Sequence, residues 1–241
     1  MLVYYNGHNY VTGTTTDIDF PENAKTTSVT KSLTTTANNA TFNFAGNTGA
    51  GVGYTQAVYI KSSSLRSGIT CIYNSDITNN ITVELNWVRN ADGDYDLYYF
   101  FPPNSTLTKI NIATEGTGIG SIYVYTGSSV IYVKRNPKPD IGITRTYPNE
   151  TKTLYNGKRV SIKTGTAYSE YDLKFDIIKE EGRTEYSELN EAIRWMDQQP
   201  CLLYISDDHI YHGQIFLDST ISENLSQHVK HEIGFVLTEV V

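Results

Sequence analysis

Three groups of side chains have the types and spacing to do chemistry. Asp92, Asp94 and Asp96 alternate around Gly93, and oxygen clusters of that kind suit hard cations such as calcium. The twelve-residue calcium loop fails, because Pro103 stands where the closing Glu belongs. Asp-Gly is also the ordinary chemistry of a tight hairpin turn, which is the stronger reading. Trp87, Tyr98 and Tyr99, with Tyr95 nearby, offer flat rings that could stack on the apolar faces of a sugar. A continuous strand from Ile81 to Arg89 would instead put Trp87 on one face with Val83 and Leu85, so core or interface packing is the main expectation for these rings. His209, His212, His228 and His231, with Asp207 and Asp208, raise a metal or acid–base site. Strand geometry separates them, since residues three apart point to opposite faces. Only a cross-sheet pair such as His212 and His231 would survive.

No other motif competes with these. The Gly-rich stretch Gly46–Gly53 lacks the Lys-Ser/Thr of a phosphate-cradling loop. There is no nucleophile elbow and no His-Glu-x-x-His. Carboxylates are plentiful, yet none stands out as a glycosidase pair. Cys71 and Cys201 read as two reduced, half-buried thiols, not as a disulfide framework or a zinc site. The chain therefore reads as a non-enzyme with no cofactor.

The elements that must position these residues are mainly strands. The 241 residues include 19 Tyr and 18 Gly but only two Met and two Trp, and the abundance of Thr, Ser and Asn favours strands and turns over helix bundles. The net charge of −7 argues against nonspecific nucleic-acid binding. It is uneven: about −1 over residues 1–140 (9 basic, 10 acidic) and −6 over residues 141–241 (10 basic, 16 acidic). No secretory leader and no run of about 18 apolar residues is visible, so the expectation is synthesis in a cytoplasm without a membrane span.

Strands alternate with turn signals about every ten residues up to Lys134, predicting an antiparallel β-sandwich over residues 1–137. Met1–Tyr5 opens it, and Pro21–Asn39 reads as a loose connection. Lys134–Asp140, with two prolines and four charges, reads as a stiff hinge. Residues 138–241 form a second, smaller β-sandwich or barrel. It holds a hairpin turning at Asn156-Gly157, a half-buried strand over Tyr168–Lys179, and a lone helix at about 184–198. Thr184 is placed to cap that helix. Tyr186, Leu189, Ile193 and Met196 form one apolar stripe, Trp195 closes its seam with Ala192, and Pro200 ends it. Strands follow at Cys201–Ile205, Ile210–Leu217 and Val229–Val241, with a polar loop at Ser219–Gln227.

Two resemblances follow from these phrases. Ala57–Ser62, the Trp-bearing strand Thr82–Arg89, the phrase Phe100–Pro103 and the closing pair Ser121–Thr126 and Val130–Lys134 resemble carbohydrate-binding modules of the jelly-roll type. In the second half, the order is Ala192–Met196, Leu202–Ile205, Asp207-Asp208, Tyr211–Leu217 and Glu232–Leu237. That order is similar to the domain shared by tail-tube and distal-tail proteins of tailed bacteriophages. One departure is that the accessory sandwich precedes the ring domain here instead of following it. The resemblance implies a structural virion protein of a tail or baseplate. Its C-terminal domain would build a ring, expected to be hexameric, from copies of itself beside other tail proteins. It would assemble in the host cytoplasm, with Tyr186, Leu189, Ile193, Trp195 and Met196 as structural and assembly residues. The alternative is a carbohydrate-binding or adhesion module meeting host surface glycans.

Overall fold

The computed structural model describes residues 1–5, 7–9, 33–36, 39–43, 54–62, 68–75, 80–89, 94–112, 119–127, 130–165, 168–178, 182–197, 199–215, 221–225 and 230–239. The described chain is mainly β, with several antiparallel sheets and one helix. It divides into two compact units, one of Tyr4–Val130 and one of Met1–Val3 with Ile131–Val241.

The first strand, β1 (Leu2–Tyr4), straddles that division. The unit of residues 4–130 then holds β2 (His8–Asn9), β3 (Leu33–Thr36), β4 (Asn39–Asn43), β5 (Thr55–Ser62), β6 (Ile69–Asn74), β7 (Ile81–Glu84), β8 (Asn86–Arg89), β9 (Tyr95–Phe100), β10 (Thr106–Ile112) and β11 (Ile119–Thr126). Two five-stranded sheets result, ordered β3-β4-β10-β6-β7 and β2-β11-β5-β9-β8. Alternation sends Val58, Ile60, Leu97, Ile122 and Val124 of one sheet, and Ile69, Cys71, Tyr73, Ile110 and Ile112 of the other, into a single core. That shared core makes the unit a β-sandwich.

The stretch Ile81–Arg89 is not one strand. β7 pairs with β6 in the first sheet, and β8 pairs with β9 in the second. Leu85 is the crossing point: its side chain is buried, and its N–H donates to the Ile69 carbonyl at 3.3 Å. Corners of this kind let one chain segment serve both layers of a sandwich. Past the corner Trp87 still faces the core side, opposite the buried Leu97, as the alternation with Val83 and Leu85 predicts.

β12 (Val130–Tyr132) also straddles the division, and the other unit then contains β13 (Gly142–Thr146), β14 (Asn149–Thr153), β15 (Arg159–Lys163), β16 (Tyr168–Ile178), α1 (Gly182–Met196), β17 (Cys201–Ser206), β18 (His209–Gly213), β19 (Ile221–Leu225) and β20 (Lys230–Thr238). Its sheets run β13-β16-β20-β19 and β12-β1-β17-β18, and β14-β15 forms a separate two-stranded ribbon. The opening residues, expected in the sandwich, lie between β12 and β17. Met1 and Val3 are buried there, and the Val133 N–H donates to the Met1 carbonyl at 2.9 Å. An apolar segment needs cover on both faces, and an interior strand of this sheet supplies it. The division therefore falls at Val130/Ile131, ahead of the Pro137 border expected from the prolines.

The expected hinge is packed down. Pro137 is buried, and the Lys138 N–H donates to the Lys174 carbonyl at 2.7 Å. The Lys138 ammonium pairs with Asp176 at 3.0 Å and with Glu232, and those two carboxylates push its pKa up. The polar stretch Ser219–Gln227 supplies a strand, β19, because β20 offers it a partner: Ile221 lies opposite Phe235 and Leu225 opposite His231.

The helix starts at Gly182 and stops at Met196, so Thr184 sits inside its first turn and not at its start. Leu189, Ala192, Ile193 and Met196 are all buried, at i, i+3, i+4 and i+7. This stripe lies toward β16, whose Leu173 and Phe175 are buried, and Phe175 stacks on Phe235 of β20 at 5.6 Å. Arg194 in the last turn faces the negative end of the helix dipole favourably. The Met196 carbonyl accepts from the Ile215 and Gln199 N–H groups.

Candidate functional site

The aromatic residues of the sandwich do not form one platform. Trp87, on β8 at the sheet edge, is 45% exposed. Tyr98 is buried, and it lies in register with Tyr59 and Asn86. Its ring is 5.4 Å from Phe100. Tyr99, one residue on, points to the opposite face. There it packs against the core, 6.1 Å from Tyr73 and 5.1 Å from Phe101. Burial first, then the hydrogen bond and charge coupling with Tyr73, push the Tyr99 phenol up to about 12.

What gathers at this edge is a different set. The Trp87 indole meets the Tyr95 ring edge-on at 5.6 Å, and the Arg89 guanidinium stands 6.0 Å from the centroid of the Tyr95 ring, within cation–π range. An exposed indole beside a cation and a second ring is a surface on which a planar or sugar-like ligand could stack. The sequence already grouped Tyr95 with Trp87; the β8–β9 register adds Arg89, which lies opposite Tyr95, while Trp87 lies opposite Leu97.

The carboxylates nearby are already engaged. Asp96 is buried and accepts a hydrogen bond from the Tyr59 hydroxyl at 2.8 Å. Asp94 lies 4.0 Å from the Lys61 ammonium. Asp92 falls outside the described residues. Among the described residues, no three His, Cys, Asp or Glu side chains come together as a metal centre requires. His209 is exposed and His212 buried, on opposite faces of β18. His209 Nδ1 sits 3.1 Å from the Ser206 hydroxyl, and Tyr204 donates to Asp207 at 2.8 Å, so these groups tie down the β17–β18 turn. His228 and the side chain of His231 fall outside the described residues. Cys71 and Cys201 are fully buried free thiols, and burial raises both pKa values far above the ordinary range. They are inert packing groups.

The second unit carries a different kind of candidate. Of the expected assembly residues, Leu189, Ile193 and Met196 are buried in the unit's own core, and Tyr186 is half-buried. Trp195 is 44% exposed. It stands three positions past Ala192, about 60° from it around the helix, so it lies at the margin of the buried stripe. It joins Tyr132, Ile143, Tyr147, Leu154, Tyr155 and Ile162, so that among the described residues seven of the nine exposed large hydrophobic side chains belong to this unit.

Leu154, Tyr155 and Ile162 belong to the β14–β15 ribbon, a surface that sequence patterns underrate. The Asn156-Gly157 turn stands where expected, with Gly157 at φ +76° and the Leu154 N–H bonded to the Lys158 carbonyl at 2.8 Å. Nothing in the sequence says that the ribbon finds no third strand among the described residues; the alternation of Val160 and Ile162 suggests the reverse. Comparison with protein-family models, curated proteins and solved structures found no match to the chain.

Proposed function

We propose that the chain is a structural subunit of a bacteriophage tail or baseplate, joining copies of itself into a ring through residues 131–241 and displaying the sandwich of residues 4–130. The observation that carries this is the concentration of exposed Tyr, Trp, Ile and Leu side chains on the second unit. Exposed apolar side chains at this density are costly in water and characteristic of surfaces that are covered in use. A ring interface of about 800 Å² per partner gives such groups a place to go. The single helix among antiparallel strands agrees with the tail-protein texture of the sequence. The reading needs no catalytic step and no cofactor. Its partners are further copies, expected as a hexamer, and neighbouring tail proteins, with the virion tail as the final location.

The test is native mass spectrometry and electron microscopy of the full chain across concentration. Closed rings, or co-purification with virions, support the assignment. A protein that stays monomeric at high concentration and never enters particles refutes it.

A second reading has its own observation. Trp87, with Tyr95 and Arg89, forms an exposed aromatic edge on the sandwich. This favours contact with host surface glycans as an accessory role. Glycan-array binding lost in Trp87→Ala would support it; binding unchanged by that substitution would remove it.

A further inference from the structure

The β14–β15 ribbon is unlike the rest of the chain in three respects. It pairs with no other strand among the described residues. All but one of the residues from Asn149 to Lys163 are exposed, and only Val160 is half-buried. It is also strongly basic in an acidic protein. Lys152, Lys158, Arg159 and Lys163 against Glu150 give it +3, while the whole chain is −7, so everything outside the ribbon sums to −10. Within residues 131–241 alone, the part outside the ribbon holds 9 basic and 16 acidic residues, a net of −7.

The ribbon is two-faced. Pairing puts Glu150 opposite Ile162 and Lys152 opposite Val160. On the other face, Thr151 lies opposite Ser161 and Thr153 opposite Arg159. Ile162 and Leu154 are 43% and 45% exposed, and Tyr155 at the tip is fully so. An isolated two-stranded hairpin is marginal in water. One with a Val/Ile face and a Leu-Tyr tip gains more from docking than most.

We propose that this ribbon is an arm that docks on a second copy of the chain, on the acidic part of the same unit outside the ribbon, where Asp140, Glu191 and Asp208 are exposed. The proposal rests on the self-assembly reading above and names the element that carries it. The occupant follows from complementarity. A +3 arm meets a −7 body of the same unit, and attraction between unlike patches of identical molecules is heterologous, which closes into a ring when the rotation permits. A nucleic acid would satisfy the lysines but leaves Leu154, Tyr155, Val160 and Ile162 without an apolar receptor. The body of a second copy offers such receptors, for example the exposed Trp195, one helical turn from the exposed Glu191.

The experiment compares the full-length chain with Tyr155→Ser, with Leu154→Ser, and with the charge reversal Lys158→Glu plus Arg159→Glu. Sedimentation and native mass spectrometry read the assembly. Circular dichroism and the protection of Cys201 verify the fold, which these exposed sites should leave intact. Each variant is expected to weaken self-association by about tenfold or more, since a Tyr or Arg at the centre of an interface typically carries that much. Wild-type association should also weaken with added salt, and the charge reversal should flatten that dependence. Folded variants that assemble as well as wild type overturn the arm while leaving ring assembly standing. A monomeric wild type overturns both. Unchanged assembly with lost retention on a duplex-DNA column also overturns the proposal and reassigns the ribbon to a polyanion.

Discussion

Leu189→Ala tests the role of the helix directly. Leu189 is 1% exposed and sits mid-stripe between the helix and β16. Truncating a fully buried leucine costs about 2–5 kcal/mol, because transfer energy and cavity both count. With about 3 kcal/mol taken as the central value, the opened population of this unit rises roughly 150-fold, a factor of ten for each 1.4 kcal/mol. The two cysteines report on this separately. Cys201 is fully buried in the unit that contains the helix, and Cys71 is fully buried in the sandwich core. Burial raises both thiol pKa values, so neither reacts in the closed state. Under a slow alkylating reagent, labelling follows the open population. Peptide mapping should therefore find Cys201 labelled about a hundredfold faster in Leu189→Ala, with Cys71 changed less than about twofold. The exposed Glu191→Ala is the control and should move neither. A Cys201 rate within about fivefold of wild type would mean that the helix does not hold its unit together. Equal acceleration of both thiols would mean that the two units open as one.

Two further expectations are sharp. Gly213→Ala should destabilise the same unit by about 1–3 kcal/mol in urea unfolding, as overpacking does. An added Cβ would press on the Thr238 carbonyl and come within 2.9 Å of Leu237 Cγ, and Thr238 is held by reciprocal 2.8 Å bonds with Gln214; unchanged stability would refute that close approach. Tyr99→Phe should flatten the alkaline loss of stability. The folded pKa is raised to about 12 from an ordinary 10.0, so below pH 10 both states hold the proton and stability is level. Between 10 and 12 the unfolded chain releases it first, and stability falls. If urea midpoints of wild type and Tyr99→Phe fall in parallel across that interval, the Tyr99 phenol is not responsible.

The parts of the fold legible from sequence are those whose cause is local. The Asn156-Gly157 turn, the alternation of Leu173 and Phe175 in β16, the stripe through Leu189, Ile193 and Met196, and the apolar strand at Cys201–Ile205 each follow from short-range stereochemistry or from one face seeking cover. What escaped notice depends on partners distant in sequence. Met1–Val3 has no local reason to prefer β12 and β17 over a strand of the sandwich. Ser219–Gln227 is polar enough for a loop, and only the free edge of β20 makes β19. Pro137 looked like a linker proline, yet Lys138 anchors that segment through Asp176 and Glu232, 38 and 94 positions further along the chain.

The aromatic edge makes the same point in reverse. Period-two counting assigns a face but not a depth, and Leu85 is where the segment changes sheet. Before it, the rule places Val83 toward the core, where it packs. After it, Trp87 lies opposite the buried Leu97 and so keeps to the core-facing side, but β8 is the last strand of its sheet and leaves the indole 45% exposed, with Tyr95 and Arg89 for company. A corner costs no unusual residue and leaves no turn signature, so sequence patterning passes over it. The error is informative, because a surface tryptophan that reads as core is one whose exposure is set by topology. Both exposed tryptophans, Trp87 and Trp195, are of this kind, one on the last strand of its sheet and the other beside Ala192 at the margin of the helix stripe. They mark the two surfaces on which glycan contact and self-assembly are each to be tested.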